Sequence, residues 1–179
     1  NYFKENRAHF DAVEILGIAD VPARTNAVRT QQVDVINRCD KKTVHLLGRL
    51  PNVNVVSTTG TKHYTMPMLC DRPPFQNKDA RLAMKLALDR EEFVNTILRG
   101  HGMMGNDHPI GPSQRFYNPN LPQRRFDPDK ARHYIKKSGL QDQTFKLHVA
   151  DAGFPGSVDA AVLYKENAKK AGINIEVVQ

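Results

Sequence analysis

Apolar and polar positions alternate or recur along nearly the whole chain, and the period changes from segment to segment. Asp11–Ile18 alternates through Val13 and Ile15, the period of a half-buried strand. Asp20 then predicts a helix cap, with Pro22 at an early helical position and Ala23, Ala27 and Val28 on the inner side as far as Arg29. Val33–Asn37 reads as a short strand. Asp40 predicts the cap of a second helix over Lys41–Leu50, with Val44, Leu47 and Leu50 inward. Val53–Ser57 and Lys62–Leu69 read as further strands, the latter limited to a partly paired position by Pro67. Strand, helix, strand, helix, strand is the order of an α/β layer architecture.

The stretch 71–112 is a helical unit that empties into a loop. A proline pair, Pro73 and Pro74, cannot lie inside a helix. Asn77 is suited to cap the helix that follows, because its side-chain oxygen can accept from a first-turn amide. Leu82, Leu86, Phe93 and Ile97 recur at helical spacing, and Asp89 with Glu92 three residues on marks a break and a second cap. Gly100 ends this unit. Residues 105–128 hold five prolines and no period, which predicts a long irregular loop. Asp127-Pro128 starts another helix, closed by Gly139. Phe145–Ala150 is then a strand, Ser157–Ala171 an amphipathic helix with Val158, Ala161, Val162, Asn167 and Ala168 inward, and Ile173–Val178 a last strand.

Composition narrows the class. The chain has 179 residues, 40% hydrophobic and 25% charged, which suits one soluble domain. No apolar run is long enough to span a membrane. The formal net charge is +7, but Lys and Arg are spread over every helix, so the charge reads as a solvated surface and nucleic acid is not expected as a partner. Cys39 and Cys70 lack the spacing of a metal or redox pair and read as two separately buried thiols.

Candidate chemistry is sparse. The run His101-Gly-Met-Met-Gly-Asn-Asp-His108 gathers imidazole, thioether and carboxylate, which suit copper, nickel or zinc. It matches no closed zinc spacing, so no metal or other cofactor is expected, and a self-contained metal-binding domain built on His101–His108 stands as the alternative. Neither GxSxG nor GxxxxGK[ST] occurs, and Asp107 with His108 has no nucleophile or oxyanion site beside it, so catalysis is not expected. Asp151–Gly156 follows a strand's carboxyl end and precedes a helix, where ligands gather in α/β sheets, and Phe154 there could stack on one. Arg81 and Arg90 read as exposed residues whose ion pairs hold loop to helix, and Asp34 as a locally capped or paired charge.

Four blocks of the chain resemble, in order, the extracellular solute-binding proteins of family 5, the oligopeptide-, dipeptide- and nickel-binding components of ABC importers. They are PARTNAVRTQQVDVI, PPFQNKDARLAMKLALDREEFVNTILRGHG, YNPNLPQRRFDPDKARHYIKKSGL and AVLYKENAKKAGINIEV. The resemblance implies one α/β lobe, 1–179, of a periplasmic-binding-protein type II fold, a mixed sheet flanked by helices, cut from a longer protein with a second lobe. It implies a periplasmic or extracellular protein, joined to the membrane through its permease, that captures a peptide or similar small solute. It also places the loop after the helical unit near the cleft, so Asn106, Asp107, His108, Pro109 and Ile110, with Phe154, are the expected ligand-binding residues. Two departures stand out. The Asn-Thr pair that often precedes PPF is replaced within Met68–Arg72. A glycine of the first block is Gln31, which implies a turn that manages without positive φ.

Overall fold

The structure, a computed structural model, describes residues 3–7, 9–58, 60–150 and 152–179. They fall into two compact units, 1–56 and 57–179.

The first unit is built on two helices, α1 (Val21–Arg29) and α2 (Val44–Leu47). Asp20 caps α1 as its sequence predicts: Oδ1 accepts from the Ala23 amide at 2.7 Å. The Arg24 guanidinium donates to the Ile18 carbonyl at 2.8 Å, which fixes the incoming chain against the helix. Ala27, Val28 and Leu47 are buried. α2 is shorter than expected. The Asp40 carboxylate accepts from the Lys42 amide at 2.9 Å and the Thr43 hydroxyl at 3.2 Å, so residues 41–43 form a turn and the helix begins only at Val44.

Three strands expected in or at the end of this unit are not formed. Asp11–Ile18 has no ladder partner, and Val13 and Ile15 are 74% and 89% exposed. Val33–Asn37 lies between Gln31 (φ 60°) and Arg38 (φ 53°), two left-handed residues that turn the chain out of extended conformation. The expectation that the Gln31 turn avoids positive φ is therefore overturned. Val53–Ser57 is likewise unpaired. Alternation makes a segment suited to a sheet; the ladder itself needs a second backbone within hydrogen-bonding reach.

The second unit holds α3 (Lys78–Leu86), α4 (Arg90–Thr96), α5 (Pro128–Lys137), β1 (Thr144–His148), α6 (Ser157–Lys170) and β2 (Asn174–Val178). β1 and β2 pair in parallel, from Thr144 opposite Asn174 to His148 opposite Val178, with α6 as the crossover. The α/β class holds; the remaining strands of the expected mixed sheet are not formed among the described residues.

The core explains the arrangement. Ala83 on α3, Ala87 at its C-cap and Ala131 on α5 are fully buried and small, so the two helices pack closely. Ile135, Phe145, Ile173 and Ile175 fill the space beneath, each contributing about 1.5–3 kcal/mol by burial. Phe75, just after the proline pair, stacks on Phe145 at 5.6 Å between ring centroids. Lys62–Leu69 keeps its predicted alternation without becoming a strand: Met66 and Met68 pack on the core while Thr65, Pro67 and Leu69 face out. The caps of α3, α4 and α5 fall where they were expected. Asn77 Oδ1 accepts from the Asp79 amide at 2.9 Å, Asp89 Oδ1 from Glu92 at 2.9 Å and Asp127 Oδ1 from Lys130 at 2.9 Å. On α6, Val162 is 48% exposed rather than inward.

Both cysteines are free thiols, Cys39 half-buried and Cys70 exposed, so the reading of two buried thiols is corrected. Asp34 sits exposed on a bend.

Candidate functional site

The break between α3 and α4 is the point from which the candidate site is built. It is held from behind by α6. Asn167, 1% exposed, accepts from the Asp89 amide at 2.9 Å and donates to the Glu92 carboxylate at 2.7 Å. One turn earlier, the buried Tyr164 hydroxyl donates to the Met84 carbonyl at 2.8 Å. These side chains satisfy backbone groups that the break leaves open inside the protein. Burial pushes the Tyr164 phenol well above its usual range; Arg90 opposes that shift and Asp107 adds to it.

Arg90 is the first residue of α4 and carries this junction to the loop. Its Nη1 donates to the Lys85 carbonyl at 3.0 Å and its Nη2 to Asp107 Oδ1 at 2.7 Å. The other Asp107 oxygen takes Arg124 Nη1 at 3.0 Å. The Arg90 and Asp107 side chains are only 11% and 16% exposed, so Arg90 does hold loop to helix, but from a sheltered position rather than an exposed one. A pair so placed lies between the ~0–1 kcal/mol of an exposed pair and the ~3–5 kcal/mol lost on breaking a buried one.

The two ends of the loop are sewn together beside this clamp. Asn106 Nδ2 donates to the Pro122 carbonyl at 2.9 Å, and its Oδ1 accepts from the Arg124 amide at 3.0 Å. Gln123 Nε2 donates to the Gly105 carbonyl at 3.1 Å. Asp107 takes φ 59°, a left-handed conformation that aspartate tolerates better than most residues. The 105–128 segment is therefore not a slack linker. Its middle is an Ω-loop, 108–121, closed at a neck of side-chain hydrogen bonds. Within it, the Gln114 side chain accepts from the Gly111 amide at 2.6 Å, and the His108 ring lies 6.2 Å from that of Tyr117. Phe116 is 80% exposed at the rim.

The expected ligand residues divide into three places. Asn106 and Asp107 form the neck, their polar groups engaged by the loop and, for Asp107, also by Arg90 of α4. His108, Pro109 and Ile110 start the loop body, with His108 and Ile110 half-buried and Pro109 exposed. Phe154 stands elsewhere in the unit, against Tyr64 at 4.3 Å between centroids. Its companion Asp151 lies outside the described residues. No hydrogen bond, ion pair or ring contact among the described residues joins Phe154 to 106–110. Arg81 ties the proline segment to α3, donating to the Phe75 carbonyl at 2.6 Å. Among the described residues, no three His, Cys, Asp or Glu converge to hold a metal, and the Asp107 carboxylate is already shared by two arginines, so the metal-domain alternative is not favoured.

Sequence reasoning did not assign roles to Tyr164, Asn167 and Arg124. Asn167 carried a signal: an amide on the inward side of an amphipathic helix demands buried partners. Arg124 carried none, since its partner is seventeen positions away across an irregular loop.

Known proteins share this architecture. Di/tripeptide-binding protein 1 of Pseudomonas aeruginosa is 20% identical over 99% of this chain and 34% of its own length. The chain thus spans about a third of the curated relatives it matches. Among solved structures, NikZ of Campylobacter jejuni, determined with Ni(L-His), is 17% identical and superimposes with a TM-score of 0.78 over 90% of this chain and 34% of its own. The periplasmic binding protein DppA of Helicobacter pylori, determined with the peptide STSA, is 21% identical with a TM-score of 0.74 over 90% and 31%. These likenesses give the fold, that of periplasmic binding proteins. The family model described as bacterial extracellular solute-binding proteins, family 5 Middle, matches residues 1–179 end to end, and the chain belongs to that family.

Proposed function

We propose that the whole protein is the substrate-binding component of an ABC importer. It captures a peptide or similar small solute between two lobes and delivers it to a membrane permease, working outside the cytoplasmic membrane and associated with it through the transporter. The observation that carries this reading is the family match along the entire chain. The relatives named above are binding proteins, and the step is capture rather than catalysis: a ligand with more contacts in the closed than the open state shifts the equilibrium toward closure. In this reading 1–179 contributes part of one lobe, the loop residues His108, Pro109 and Ile110 with Phe154 face the solute, and Asn106 and Asp107 shape the loop from its neck. The second lobe completes the site, so residues 1–179 alone bind weakly or not at all.

The test is native mass spectrometry of the full-length protein, first as purified and then against a library of di- and tripeptides. A retained peptide or other small solute, with calorimetric binding to match, is the expected result. A full-length protein that retains no solute and binds none of the library refutes the peptide reading. Tight binding by residues 1–179 alone refutes the dependence on a second lobe.

A further inference from the structure

We infer that Arg90 and Asp107 are positioning residues, a clamp that holds the 108–121 loop in one shape before any solute arrives. The inference rests on the proposed capture function and assigns it a device that no family likeness supplies. Arg90 is suited to the part because its planar guanidinium makes two bonds in different directions at once: Nη1 to the Lys85 carbonyl at the end of α3, and Nη2 to Asp107. A lysine could keep the charge but could not span both. Asp107 is equally committed, with one oxygen for Arg90 and the other for Arg124. The clamp therefore joins three pieces of chain: the α3 end, the incoming strand of the neck and the outgoing one. Asn106 adds a bond on each side of the outgoing strand, to Pro122 and Arg124.

Behind the clamp the protein is packed and hydrogen-bonded. Tyr164 lies within the field of both Arg90 and Asp107 and fixes the Met84 carbonyl, one residue before Lys85. In front of it the loop body is tied by short local bonds: the Gly111–Gln114 turn, the Tyr117 amide donating to the Gln114 carbonyl at 3.1 Å, the Asn120 amide donating to the Asn118 side chain at 2.9 Å, and the contact of His108 with Tyr117, while Phe116 stands 80% exposed. A loop of this kind loses conformational freedom on binding unless it is ordered beforehand. The clamp performs that ordering in the free protein.

The experiment uses the full-length protein with Asp107→Ala, Asp107→Glu and Arg90→Lys. Trypsin cleavage after Arg115, an exposed site on the loop, reports local opening in the regime where cleavage follows the open population. Hydrogen exchange of 108–121 reports the same opening without a protease. The di- and tripeptide library supplies the binding arm. Asp107→Ala and Arg90→Lys are expected to speed cleavage at Arg115 and loop exchange by about tenfold, with exchange in α3, α5 and α6 unchanged, and to weaken peptide affinity by a similar factor. Asp107→Glu is expected to recover part of both. Unchanged loop opening in Asp107→Ala overturns the clamp. A loosened loop with undiminished peptide affinity overturns its role in binding. Wild-type protein that binds no peptide sinks the capture reading instead, and the cleavage and exchange arms still decide the clamp.

Discussion

The Asn167 carboxamide lies between both ends of one cap: it donates to the Glu92 carboxylate at 2.7 Å while accepting from the amide of Asp89, the residue that caps the same turn. A side chain on α6 thus completes the start of α4. That relationship makes the α3–α4 break a fixed corner rather than a fray, and the corner places Arg90.

Replacing Asn167 with leucine keeps the branched shape and number of heavy atoms and removes both bonds. The Asp89 amide and Glu92 carboxylate then lose a buried partner, so a loss of about 2–3 kcal/mol is expected. Urea unfolding of the chain measures it. A change below about 0.5 kcal/mol would show that water replaces the amide at no cost.

Tyr164 gives a pH signature. Its folded-state phenol titrates above the ordinary 10.0, chiefly through burial. A raised value means the unfolded chain releases this proton first. The stability that neutral Tyr164 supplies is complete below about pH 10 and declines as pH rises above it. Tyr164→Phe removes the hydroxyl bond to Met84, costs about 1 kcal/mol near neutrality, and should flatten this part of the alkaline decline. Parallel alkaline profiles for the two proteins would refute the assignment.

Asp127 gives the opposite sign. The Lys130 amide, and then the Lys130 side chain, hold its carboxyl below the ordinary 3.8. Its contribution is present above that value and disappears as pH falls through the lower, folded one. Asp127→Ala should cost about 1 kcal/mol near neutrality as a lost cap, with the gap between mutant and wild type closing in acid. Circular dichroism of α5 unfolding at stepped pH follows this directly. A gap that persists at low pH argues that the loss is not electrostatic.

Gln31 tests a backbone effect in the first unit. It occupies φ 60° on an exposed turn after α1. Gln31→Gly should relieve that conformation and leave stability equal or higher by up to about 1 kcal/mol, despite the greater freedom glycine gives the unfolded chain. Thermal unfolding of residues 1–179 reads the sign, and a clear loss would mean that the turn is not strained.

Helix positions were legible because their causes are local. Asp20, Asn77, Asp89 and Asp127 cap the helices that follow them, and each bond spans no more than three residues. The parallel strands were legible too, since Phe145 and Ile175 sit in short apolar alternations beside a strong helix. Strands without a partner were overread: Val13 and Ile15 have the right period and no second backbone to pair with.

The loop shows the same division. Its prolines and missing period announced an irregular segment, and the sequence order placed it after the paired helices. What the sequence by itself determined is therefore the set of local elements, their caps and the blocks that mark the family. Only the tertiary structure decided that 105–128 is a closed loop, because Asp107 meets Arg90 and Arg124 across seventeen positions in either direction, and Asn167 reaches the α4 cap from 75 positions away. Charge and hydrogen-bonding capacity are visible in a residue type, but the choice of partner is made by which surfaces the core brings within 3 Å.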